Sequence, residues 1–77
     1  MKIEILGTGC KKCKKLEANV NEAVKDLGLE AEVVKVEDIE IIMDYGVMQT
    51  PALVVDGTVK IYGKVASVND IKKVLEQ

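Results

Sequence analysis

Histidine and arginine are both absent from these 77 residues, and there is a single proline. Without histidine the chain lacks the commonest general base and the usual nitrogen ligand of zinc. Cysteine is scarce: two residues, too few for the disulfide-dense scaffold of a small secreted domain. A structural zinc site takes four Cys or His ligands, so these residues exclude one within a single chain, and no metal is expected. Long apolar runs are missing as well. Nothing approaches the roughly 18 residues of a membrane span, and Met1 leads straight into Ile3-Glu4-Ile5-Leu6 without the basic region of a signal peptide. The expectation is a cytoplasmic protein with no membrane partner. Basic excess is lacking too: the net charge is −2 with all eleven basic residues lysine, which argues against a nucleic-acid partner.

The residues that remain describe an ordinary globule, 48% apolar and 31% charged. Their number fits one domain over residues 1–77, expected to be a monomer with a thin core. Residues 2–6 alternate and then close in an apolar pair, a strand. Two glycines in Gly7-Thr8-Gly9 break it. Leu16, Val20, Ala23, Val24 and Leu27 then mark one face of a helix that Gly28 stops. Residues 31–36 are β-branched and short, a second strand. Glu37 and Asp38 place negative charge at the start of a short helix that ends near Tyr45-Gly46. Pro51 opens an apolar strand, Asp56-Gly57 signals a two-residue hairpin turn, and Val59-Lys60-Ile61-Tyr62 returns with alternating character. Ser67, with Asp70 three residues on, caps a last helix whose apolar stripe is Val68, Ile71, Val74 and Leu75. The order is βαβαββα: a mixed four-stranded sheet flanked by three helices, an α/β fold.

Both cysteines lie in GTGCKKCKK, residues 7–15. Two residues between thiols suit either a disulfide that opens and closes or a grip on a soft metal ion. Cys13 extends the apolar helix stripe backwards and is expected to point inward. Cys10 falls at the helix start, where unpaired N–H groups and the dipole favour a thiolate. Lys11, Lys12, Lys14 and Lys15 add positive charge. This combination lowers a cysteine pKa from its usual value near 8.5. Cys10 is then the expected nucleophile and Cys13 the thiol that resolves a mixed disulfide, with Lys11 and Lys12 tuning the Cys10 pKa. The plainer alternatives are a buried Cys13 acting as a small hydrophobe and a lysine run that only solvates a helix face.

The stretch Tyr45-Gly46-Val47-Met48-Gln49-Thr50-Pro51-Ala52-Leu53-Val54-Val55-Asp56-Gly57 resembles the thioredoxin segment that carries an active-site-facing cis-proline and the following hairpin. Together with CxxC after the first strand and a closing helix, it places the chain beside the thioredoxin superfamily. The size and the Gly-Thr-Gly-Cys-x-x-Cys entry are most similar to the small thioredoxin- and glutaredoxin-like redox-active disulfide proteins of archaea and some bacteria. The resemblance implies a thioredoxin-like fold, a cis Thr50-Pro51 bond beside the sulfurs, and a Thr50 backbone that pairs with substrate. It also implies a protein disulfide oxidoreductase with no cofactor beyond the Cys10-Cys13 disulfide. The partners would be disulfide-containing proteins and a reductase supplying electrons. Glu4 stands six residues before Cys10, the spacing of the buried acid in thioredoxins, and is a possible proton shuttle for Cys13; a strand carboxylate facing solvent is the alternative. There are departures. No tryptophan precedes Cys10, Lys11-Lys12 replaces Gly-Pro or Pro-Tyr, and the glutathione-holding tyrosine and lysine of glutaredoxins have no counterpart.

The competing function is a soft-metal chaperone for copper or mercury that binds through the same two thiols. Such domains run βαββαβ and end on a strand, so the element formed by the last residues discriminates the two.

Overall fold

Alternation in residues 2–6 and the bounded apolar runs elsewhere produce four strands and three helices in the computed structural model, which describes residues 1–9 and 11–76. The strands are β1 (Lys2–Leu6), β2 (Glu32–Val36), β3 (Ala52–Val55) and β4 (Thr58–Tyr62); the helices are α1 (Lys11–Leu27), α2 (Ile39–Asp44) and α3 (Val68–Leu75). The sheet order is β2-β1-β3-β4. Strand β1 pairs parallel with β2 and antiparallel with β3, and the β3–β4 hairpin is antiparallel. This is the mixed sheet of a thioredoxin-like fold, and its last element is a helix. The strand-terminated order of the metal chaperones is not what this chain adopts.

Helix α1 buries Cys13, Leu16, Val20 and Ala23. Leu16, Val20 and Ala23 pack with Ile3, Ile5, Leu53, Val55, Ile61 and the α3 residues Ile71 and Leu75 on one face of the sheet. The opposite face is thinner: Leu6, Ala52 and Val54 meet Ile42 of α2 and Val47. Every residue of β3 is buried, because helices cover it on both sides. Its apolar run has that cause.

Local signals set the element ends. Gly28, at φ +64, ends α1 in a Schellman arrangement: its N–H donates to the Lys25 carbonyl and the Leu29 N–H to Val24. Asp38 caps α2 by accepting from the Glu40 N–H at 2.9 Å, and Ser67 caps α3 by accepting from the Asp70 N–H at 3.2 Å. Asp56 and Gly57, both at positive φ, close the hairpin.

One strand departs from its sequence pattern. Leu53 faces Ile61 but Val54 faces Val59, a register shift that leaves Lys60 as an extra residue. Val59 therefore packs on the α2 side and Ile61 on the α1 side, whereas plain alternation puts both on one side. Among the described residues no helix is long and apolar enough to cross a membrane.

Candidate active site

The first turn of α1 carries Cys13 inward because it lies on the same helical stripe as Leu16 and Val20. Its side chain is 6% exposed and sits directly over Gly7, where β1 gives way to the loop. A Cβ on Gly7 would overlap Cys13 Sγ, would lie 3.1 Å from Cys13 Cβ and would reach Thr50 Cβ at 3.9 Å. Only glycine leaves room for this approach. The backbone of Gly7 is fixed by donation of its N–H to the Val36 carbonyl at 3.0 Å, which continues the parallel β1–β2 ladder. Cys13 and Thr50 thus flank one glycine, although 36 intervening residues separate them in sequence.

Thr50 is exposed while Pro51 is buried, and the peptide bond between them is cis. The Pro51 carbonyl accepts from the Gly63 N–H at 3.0 Å, so the end of β4 holds this segment in place. Lys11 and Lys12 are exposed, as are Lys14 and Lys15. Cys10, the sequence-predicted nucleophile, lies outside the described residues.

Glu4 is neither solvent-facing nor directed at Cys13. Ile3 and Ile5 point toward α1, so Glu4 between them points to the α2 side, with its side chain only 12% exposed. There it accepts a short hydrogen bond from the Tyr45 hydroxyl and pairs with Lys2 Nζ at 3.4 Å. That hydrogen bond, with burial and the carboxylate charge behind it, raises the Tyr45 phenol above its ordinary pKa. Tyr45 is the C-cap of α2, so the contact ties that helix to β1.

Two hollows border the thiol region. A cavity of about 50 Å³ touches Cys13 and is lined by Lys14, Lys35 and Glu37 together with Ile5, Gly7 and Gly9. It is large enough for a water molecule. A wider groove of about 320 Å³ lies between Thr8, Thr50 and α2, with walls of Ile39, Met43, Val47 and Met48. Sequence reasoning missed Gly7 as a contact of Cys13, missed Tyr45, and treated Glu37 only as helix-start charge. Among the described residues no group of three or more His, Cys, Asp or Glu side chains is placed to hold a metal ion.

A buried thiol in the first turn of a helix, set against a cis-proline loop on a four-stranded mixed sheet, belongs to the class of disulfide oxidoreductases. The family described as Thioredoxin domain matches residues 1–76. A protein named thioredoxin from Methanothermobacter thermautotrophicus is 51% identical over 75 residues, covering 97% of each chain. Another of that name, from Methanocaldococcus jannaschii, is 43% identical over 74 residues, covering 96% of this chain and 85% of the relative. The chain belongs to the thioredoxin family and is a thioredoxin-type redox protein, a disulfide oxidoreductase in the general sense. A solved structure described as that of a malarial protein matches with a TM-score of 0.73 over 97% of this chain and 92% of that one; at 16% identity it shows the shared fold alone.

Proposed function

We propose that the protein reduces or exchanges protein disulfides through Cys10 and Cys13. The observation that carries this reading is the seating of Cys13: buried, over Gly7, and across that glycine from exposed Thr50. A shielded thiol cannot meet an incoming protein, but it can attack a disulfide formed by its neighbour three residues back. Cys10 as thiolate attacks one sulfur of the partner disulfide; the partner's other sulfur leaves with the electron pair and takes up a proton. Cys13 loses its proton, attacks Cys10 and displaces the second partner sulfur, which is protonated in turn. The partner gains two electrons and two protons, and the Cys10-Cys13 disulfide remains. No cofactor enters beyond that disulfide, and a reductase restores the dithiol.

Thr50 supplies backbone to the bound partner segment, and Lys11 and Lys12 favour the Cys10 thiolate by charge. The proton shuttle assigned to Glu4 loses support, because Glu4 is held by Tyr45 on the far face of the sheet. The groups that share a cavity with Cys13 are Lys14, Lys35 and Glu37. We place the protein in the cytoplasm, acting as a monomer.

The test is a redox titration of the thiols against graded dithiol buffers, paired with reduction of a disulfide-bonded protein such as insulin. The reading predicts a single reversible two-electron transition and insulin reduction that disappears in Cys10→Ser. A Cys10→Ser variant with undiminished reduction contradicts it.

A further inference from the structure

The groove beside Thr8 and Thr50 has a composition the redox chemistry does not call for. Ile39 is 60% exposed, Met43 62% and Met48 83%, side chains that a domain with a thin core would gain by burying. They form one wall of a single hollow whose other members, Ile42 and Val47, belong to the thinner core. Its volume of about 320 Å³ accommodates one or two aliphatic side chains. Methionine walls adapt to the shape that enters.

The segment that supplies most of this hollow's lining carries charge of one sign. From residue 36 to residue 59 the sequence has five acidic residues and no lysine. Glu37, Asp38, Glu40 and Asp44, all exposed, alternate with the apolar residues of the α2 segment. The exposed lysines 11, 12, 14 and 15 stand on α1 and are not among the residues that line the groove. Thr50, which borders the groove, is also the residue that meets Gly7 beside Cys13, so groove and thiol site are continuous.

We propose that the groove selects protein segments carrying a large apolar side chain next to the reacting cysteine and basic side chains around it. This deepens the disulfide-exchange reading and rests on it. The apolar side chain enters between Ile39, Met43 and Met48, and the flanking cations meet Glu40 and Asp44. A segment with acidic flanks brings like charges against α2 and is disfavoured.

Three synthetic peptides test this, each with one cysteine in a mixed disulfide to thionitrobenzoate, whose release is coloured. The first has leucine before the cysteine and lysine flanks; the second exchanges the lysines for glutamates; the third exchanges the leucine for serine. Thionitrobenzoate is the better leaving group, so attack falls on the peptide sulfur. Single-turnover rates of the reduced protein are divided by its rate with hydroxyethyl disulfide, which cancels damage to folding or to the thiols. The first peptide is expected to react about tenfold faster than the third, the scale of one partly buried aliphatic side chain. Its advantage over the second is about fivefold at low salt and closes near 0.5 M, about where screening is complete. Met43→Ser should lose the leucine preference, and Glu40→Gln with Asp44→Asn the charge preference. Equal rates for all three peptides, or a faster glutamate peptide, overturn the inference. So does sedimentation showing a dimer that Met43→Ser dissociates, since a second copy then fills the groove. Failure to reduce any peptide or hydroxyethyl disulfide instead overturns the exchange reading beneath it.

Discussion

The two faces of the sheet are built to different standards. On one, α1 and α3 close a continuous core around Ile3, Ile5, Leu53 and Ile61, and the helices are further tied by Lys72 to Asp26 at 3.0 Å and Asn19 to the Ala66 carbonyl at 2.9 Å. On the other, α2 is six residues long with Ile42 as its buried residue, and its remaining apolar side chains face outward. Gly7 sits where the two meet: Cys13, on the buried stripe of α1, lies to one side of it, and Thr50, which borders the groove of the thin face, lies to the other. A division of labour follows. On the proposed function, the thick face carries the helix that seats Cys13 as the resolving thiol, and the thin face is left for contact with a partner.

If that division is right, Leu16→Ala on the thick face should cost about 4 kcal/mol in urea unfolding, and Ile42→Ala on the thin face about 2. Equal costs would erase the contrast. Gly7→Ala acts at the junction. Its methyl must displace Cys13, whose Cβ leaves little room to swing aside, so stability should fall by about 2 kcal/mol and the resolving step should slow. Rapid-quench detection of the mixed disulfide reads that step directly.

Smaller effects sharpen the picture of the thin face. Tyr45→Phe removes the tie from α2 to β1 and should lower the melting temperature at neutral pH. The phenol pKa is raised in the fold, so the stabilisation is fully present below the ordinary value near 10 and is lost as pH rises through the higher folded value. The gap between wild type and Tyr45→Phe should therefore close in strong alkali; a gap independent of pH would mean the hydroxyl contributes by packing alone. Smallest is the exchange of Lys11 and Lys12 for glutamine. Both are exposed, so the Cys10 pKa should rise by about half a unit at low salt and less at high salt.

Much of the thick face was legible in the residues themselves. Leu16, Val20 and Ala23 declare the helix by spacing, Gly28 stops it, and Ser67 caps the last helix, all through interactions within a few positions. What escaped depends on distant partners. The extra residue at Lys60 sends Val59 and Ile61 to opposite faces, and nothing in a four-residue alternation announces a bulge. Glu4 finds Tyr45 across 41 positions, so its role could not be read from its spacing to Cys10. Gly7 looked like a pattern breaker, and only the return of the chain through Thr50 and the first turn of α1 shows what its missing side chain makes room for. The groove is likewise a product of tertiary structure, assembled from the thiol loop, α2 and the approach to β3.

Differential alkylation measures the roles of the two thiols most directly. The reduced protein is treated with limiting iodoacetamide across a pH series, and the label on each cysteine is read by mass spectrometry. Cys10 should alkylate much faster than Cys13 at neutral pH, with an apparent pKa below the ordinary value near 8.5. In parallel, Cys13→Ser should accumulate a stable covalent complex with a disulfide substrate. Faster labelling of Cys13, or a trapped complex that forms only when Cys10 is replaced, would reverse the assignment and contradict the account.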